Sequence, residues 1–130
     1  MINSSGVLKY NYNADYGYKL IVEIDPGIVE LARWLVPKTI TLNKQRYTPH
    51  ISVVRKEVPK ENWEFKSGEK IQFNYDSYVY NDETYYWLRV YSEDLIKIRI
   101  ALGLTPFSEK SRPPDGTDCF HITIGNIKKL

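Results

Sequence analysis

The 130-residue chain has two histidines, and each is followed two residues later by a hydroxyl side chain. One copy of the pattern is His50-Ile51-Ser52 and the other is His121-Ile122-Thr123. Both lie in short runs, Pro49 to Arg55 and Cys119 to Gly125, where polar and apolar residues alternate as in a half-buried strand. Alternation sends His50 and Ser52 to one face and Ile51 and Val53 to the other. In the second run His121, Thr123 and Cys119 oppose Phe120, Ile122 and Ile124. Two imidazoles brought together can divide the acid–base work of phosphodiester cleavage. A neutral one takes the proton of the attacking hydroxyl or water, and a protonated one gives a proton to the leaving oxygen. The hydroxyls of Ser52 and Thr123 suit the non-bridging phosphate oxygens, where charge develops. Such chemistry calls for no metal and no cofactor. Asp115 and Asp118 near the second histidine make weak partners, and the spacing fits no metal-ligand motif. Cys119 reads as a small half-buried strand residue rather than a nucleophile.

The elements that must position these residues can be read around them. Residues 1–17 form a polar lead rich in tyrosine, broken by Gly6 and Gly17, and part of it is expected to pack on the domain. Lys19 to Ile24 has the length and character of a strand. Asp25 then caps a helix that opens on Pro26, with Ile28, Leu31, Ala32 and Leu35 as its buried stripe and Pro37 as its stop. Lys38 to Tyr47 is a basic, hydroxyl-rich approach to the first motif. The charged stretch from Lys56 to Lys70, broken by Pro59 and Gly68, reads as a loop. Ile71 to Tyr75 alternates and runs on towards Tyr80, Asn81-Asp82-Glu83 turns, and Tyr85 to Val90 returns as the hairpin partner. Ser92 caps a second helix with Glu93 and Asp94 in its first turn, a stripe of Leu95, Ile98, Ala101 and Leu102, and Gly103 as terminator. Thr105 to Asp118 is a second loop. Two helices among five or six strands make this an α+β protein of one domain, 1–130. If the halves are related by a pseudo-twofold axis, the two histidine strands face each other across a central groove.

Composition narrows the partners. A net charge of +2 gives no basic excess for binding long nucleic acid. A single cysteine fits a reducing compartment, no stretch reaches the length of a membrane span, and the reading is cytoplasmic. Eleven tyrosines offer stacking surfaces for nucleobases. The candidate ligand contacts are Tyr12 in the lead, expected to fold over the groove, Arg46 and Tyr47 beside the first motif, and Trp87 on the hairpin. Lys44 and Arg55 could add positive potential.

The paired motifs resemble those of the 2H phosphoesterase superfamily, whose fold is called LigT-like. Gln45-Arg46-Tyr47 leading into His50-Ile51-Ser52-Val53-Val54-Arg55, the strand Tyr85-Tyr86-Trp87-Leu88, and Phe120-His121-Ile122-Thr123-Ile124-Gly125-Asn126 together resemble the phage branch labelled "Swiss army knife RNA repair-like". That branch includes the anti-CBASS nucleases, and the similarity runs from about Tyr18 onward. The resemblance implies two pseudo-symmetric lobes of antiparallel strands with helices outside, and metal-independent hydrolysis of cyclic di- or trinucleotide immune signals. It makes His50 and His121 the acid/base pair and Ser52 and Thr123 the phosphate binders. Two other functions fit the same residues: opening of 2′,3′-cyclic phosphates at RNA ends, and non-catalytic sequestration of cyclic nucleotides.

Overall fold

The computed structural model describes residues 1–61, 63 and 68–129. Positions 62 and 64–67 of the expected 56–70 loop lie outside the described residues. The described elements run β1 (Ile2–Asn13), β2 (Gly17–Glu23), α1 (Pro26–Trp34), β3 (His50–Arg55), β4 (Lys70–Tyr75), β5 (Tyr80–Asn81), β6 (Tyr85–Tyr91), α2 (Glu93–Ala101) and β7 (Phe120–Asn126). Leaving aside the two-residue β5, the order repeats: two strands, a helix, and a strand that carries a histidine motif.

All seven strands join one sheet in the order β4-β1-β2-β3-β7-β6-β5, through antiparallel pairings. β4 also pairs with β6 through Asn74↔Tyr91 and Tyr75↔Val90, so the strand order returns on itself. The α+β class therefore holds. The two halves meet twice along this sheet, where β1 meets β4 and where β3 meets β7.

One face of the sheet carries the core. Leu8, Leu20, Val22, Ile51, Ile71, Phe73, Leu88, Val90, Phe120, Ile122 and Ile124 are all buried there. Each buried side chain of this size contributes roughly 1.5–3 kcal/mol relative to exposure. The helices cover this face, α1 packing on β7 and α2 on β3 and β4. Asp25 caps α1 through the Gly27 N–H at 2.9 Å, and Ser92 caps α2 through the Leu95 N–H at 3.2 Å. The Ser92 hydroxyl also donates to the Gln72 carbonyl at 2.7 Å, tying the start of α2 to β4.

Four sequence expectations are refined or corrected. The lead packs on the domain, as expected of part of it, and does so as a strand: β1 is twelve residues long and is hydrogen-bonded to β2 on one side and β4 on the other. Gly6 permits that close pairing, since a Cβ there would lie 2.6 Å from the Glu23 carbonyl oxygen. On α1 the buried residues are Ile28, Val29 and Ala32, while Leu31 and Leu35 are 72% and 62% exposed. The helix is short, and its contact with β7 selects a face turned away from the i+3, i+7 continuation of Ile28. On α2, Leu95 and Leu102 are buried as expected, Ala101 is exposed, and Arg99 is fully buried in the stripe. The hairpin is also interrupted, because β4 pairs mainly with β1 and only the short β5 lies beside Trp87 and Tyr86.

Candidate active site

The two histidine motifs lie on adjacent strands. Ile51 and Ile122 are direct cross-strand partners with both side chains in the core. Antiparallel geometry therefore puts His50 on the Thr123 side of that pair and Ser52 on the His121 side, all four on the face opposite the core. Each histidine is thus set beside the other motif's hydroxyl. Thr123 is exposed, and His50, Ser52 and His121 are partly buried.

Both imidazoles are oriented in the same way. Nδ1 of His50 lies 2.8 Å from the Thr48 carbonyl oxygen, and Nδ1 of His121 lies 3.2 Å from that of Ser111. A carbonyl only accepts, so in each ring Nδ1 carries a proton, and Nε2, directed away from the backbone, is the nitrogen left to exchange one. Thr48 is local to β3, whereas Ser111 belongs to the 105–118 loop. That loop is fixed by a turn in which the Ser108 N–H donates to Ser111 Oγ at 3.0 Å, and Ser111 is buried.

Burial pushes the His121 imidazole down to about 4. The Ser111 carbonyl works against the shift, and the positive charges of His50 and Arg55 add to it; Asp115 offsets part of the total. His121 is therefore neutral at pH 7. The mutual effect of His50 and Arg55 on His121 also brings Arg55, which pairs in register with Lys19, into the electrostatic surroundings of the site.

β6 supplies the floor beside β7. Arg89 pairs in register with His121 and Trp87 with Thr123, so both lie on the motif face. The Arg89 guanidinium bonds Asp115 at 2.9 Å and sits 3.9 Å over the Tyr80 ring, whose hydroxyl donates to Asp76 at 2.8 Å. Burial alone would raise the Asp115 carboxyl, but the bonds from Arg89 and the Thr117 N–H hold it below the usual carboxylate range. Sequence reasoning missed Arg89. Its parity with Trp87 on the hairpin strand was the available signal.

The four catalytic candidates, His50, Ser52, His121 and Thr123, thus share one face of two neighbouring strands. The proposed ligand contacts fare differently. Tyr12 is corrected: it pairs in register with Tyr18, on the face of Leu20 and Val22, opposite the histidines. It belongs to an aromatic cluster in which Tyr12 and Tyr18 lie 4.7 Å apart and Tyr18 and Trp63 lie 4.9 Å apart. Trp87 is corrected as a stacking platform. Only 1% exposed, it is covered on a strand flanked by β7 and β5, and its indole Nε1 has no acceptor among the described residues. Arg46 and Tyr47 are exposed on the segment that leads into β3. Cys119 is buried, and burial pushes its thiol up to about 11, which leaves it protonated and inert at neutral pH. Among the described residues no group of three or more His, Cys, Asp or Glu side chains is arranged to hold a metal ion. No helix of the described residues is long and apolar enough to cross a membrane. Comparison with protein-family models, with curated proteins and with solved structures gives no match to this chain.

Proposed function

We propose that this protein is a metal-independent phosphodiesterase of the 2H phosphoesterase type, cleaving cyclic di- or trinucleotide signals by two-histidine acid–base catalysis. The observation that carries the reading is the matched pair of imidazoles. Both lie on one face of adjacent strands, both are held through Nδ1 by a backbone carbonyl, and one is kept neutral by burial. The repeated order of two strands, a helix and a motif strand supports the pseudo-symmetric LigT-like architecture that the motifs imply.

In a cyclic oligonucleotide the ribose 2′-OH beside a 3′–5′ linkage is held close to phosphorus, a built-in nucleophile. His121 Nε2 takes the 2′-OH proton as the 2′-oxygen–phosphorus bond forms. Protonated His50 gives its Nε2 proton to the 5′-oxygen as the phosphorus–O5′ bond breaks. The product is a 2′,3′-cyclic phosphate, and water opens it with the two roles exchanged. Ser52 and Thr123 donate to the non-bridging oxygens as negative charge accumulates there. Phosphate binding raises the basicity of His121, since an anion beside an imidazole favours its charged form.

The test is incubation with a panel of cyclic di- and trinucleotides in EDTA, with products identified by mass spectrometry. Linear products ending in 2′,3′-cyclic phosphate or its hydrolysis product support the reading. Intact ligand recovered after denaturation indicates sequestration, and activity confined to 2′,3′-cyclic RNA ends indicates RNA processing.

A further inference from the structure

Each histidine strand carries an extra residue just after its motif. Along β3, Ile21 pairs with Ser52 and Leu20 with Val54, which leaves Val53 without a cross-strand partner. Along β7, Trp87 pairs with Thr123 and Tyr86 with Gly125, which leaves Ile124 in the same position. These are β-bulges, devices that twist a strand locally and re-aim its side chains, and here both follow the hydroxyl of the motif by one residue.

A bulge leaves a backbone carbonyl without its ladder bond, and a buried carbonyl needs another donor. In both places the donor is an arginine at the C-terminal end of a helix. Arg99 Nη1 of α2 donates to the Val53 carbonyl at 2.7 Å, and Arg33 Nη1 of α1 donates to the Ile124 carbonyl at 2.7 Å. The arrangement is crossed: α1 precedes the first motif but holds the second, and α2 precedes the second but holds the first.

Both guanidiniums are themselves fixed. Arg99 is fully buried, makes two bonds to the Glu57 carboxylate at 2.8 and 2.9 Å, and donates from Nε to Thr105 O at 2.8 Å. Arg33 also donates to the Asn43 carbonyl at 3.2 Å, and Asn43 in turn bonds the Asn126 side chain at 2.7 Å. Gly125 makes room for this contact, since a Cβ there would lie 2.8 Å from Arg33 Nη1 and 3.0 Å from Leu42 Cδ1.

We infer that Arg33 and Arg99 are positioning residues, each clamping the bulge that aims one histidine–hydroxyl pair: Arg33 for His121 and Thr123, Arg99 for His50 and Ser52. Their role in turnover rests on the phosphodiesterase reading; their effect on the imidazoles does not. A displacement of about 1 Å at a reacting group can cost on the order of 10²-fold in rate, so a loosened bulge should lower kcat by about that factor and leave KM near its normal value.

The experiment compares imidazole nitrogen NMR spectra and turnover for Arg33→Gln, Arg33→Lys, Gly125→Ala and the pair Arg99→Met with Glu57→Gln. The pair is used because removing Arg99 alone would strand the Glu57 carboxylate. Arg33→Gln should shift the tautomer balance or titration of His121 and leave His50 unchanged. The Arg99 pair should do the reverse. Arg33→Lys, which retains one donor, should recover part of the loss. Gly125→Ala displaces the guanidinium by contact, so it should reproduce Arg33→Gln and serves in its place should that variant fail to fold. Unchanged imidazole spectra in the folded variants, or equal changes at both histidines in each, would overturn the inference whatever happens to turnover. If the spectra respond as described and the parent protein cleaves no phosphodiester, the phosphodiesterase reading fails and the positioning roles stand.

Discussion

Replacing His121 with Gln should make the stability of this protein less sensitive to acid. The imidazole lies at about 4 in the folded chain against 6.5 when unperturbed. Between those values the unfolded chain binds the proton that the folded chain refuses, so stability is complete above pH 6.5 and falls as pH drops towards 4. At 1.36 kcal/mol per unit the full difference is about 3 kcal/mol, and the ring's residual exposure brings the expected loss to about 2–3 kcal/mol. The groups that bear on His121 are His50, Arg55 and Asp115, and they are present in both proteins. Urea denaturation of parent and His121→Gln at half-unit steps from pH 7 to pH 4 measures the quantity directly. Acid loss from other groups, such as the Glu57 carboxylate bonded by Arg99, largely cancels in the difference between the two curves. The two curves should converge by about 2–3 kcal/mol as the pH falls. Parallel curves would mean that His121 titrates normally, and would remove the reason for making it the base.

Other outcomes follow from the same geometry. Ala at either His50 or His121 should cost several orders of magnitude in turnover with the fold intact, and the double variant should be little worse, as groups acting as a unit are not additive; steady-state kinetics with circular dichroism checks both parts. Val at Ser52 or Thr123 should lower kcat by roughly 10²–10³ with little change in affinity, the scale of one oxyanion donor, as single-turnover rates would report. The kcat/KM profile should be bell-shaped, with an acid limb well below the ordinary histidine range because free-enzyme His121 lies at about 4; a rate series in EDTA from pH 4 to 9 tests this and any metal dependence together. Tyr12→Ala should leave ligand affinity unchanged, since Tyr12 lies on the sheet face opposite the histidines, and isothermal titration of a bound cyclic nucleotide would show it.

Alternation around His50 and His121 correctly put each histidine on the face of its hydroxyl and opposite Ile51 or Ile122, because a strand side chain has only two directions to choose between. The caps at Asp25 and Ser92 were legible because the bond each makes is local. Tyr12 was misplaced because the lead contains mostly polar residues and Gly6, and only pairing with β2 and β4 fixes which of its faces turns inward. The bulges at Val53 and Ile124 leave only a faint local mark, the break of alternation at Val53-Val54 and the glycine after Ile124, and only the pairing of the partner strands fixes which residue is extra. Arg99 was invisible for the complementary reason. A charged residue is read as surface unless its partner is known, and Glu57 is remote in sequence.

The pairing of β3 with β7 has a consequence for how the protein is made. Ile51 waits for Ile122, and Asn3 and its strand wait for Asn74, so the contacts that close the sheet join segments far apart in the chain. Loop closure on that scale precedes its reward, which places such a topology among slow-folding domains, on the order of milliseconds to seconds. Half of the chain, emerging first from a ribosome, would present the edge of β3 with no neighbour and His50 with no counterpart. Neither imidazole can be oriented for joint work until the later strand docks. The protein should therefore acquire its native sheet and the juxtaposition of its two imidazoles in a single late event.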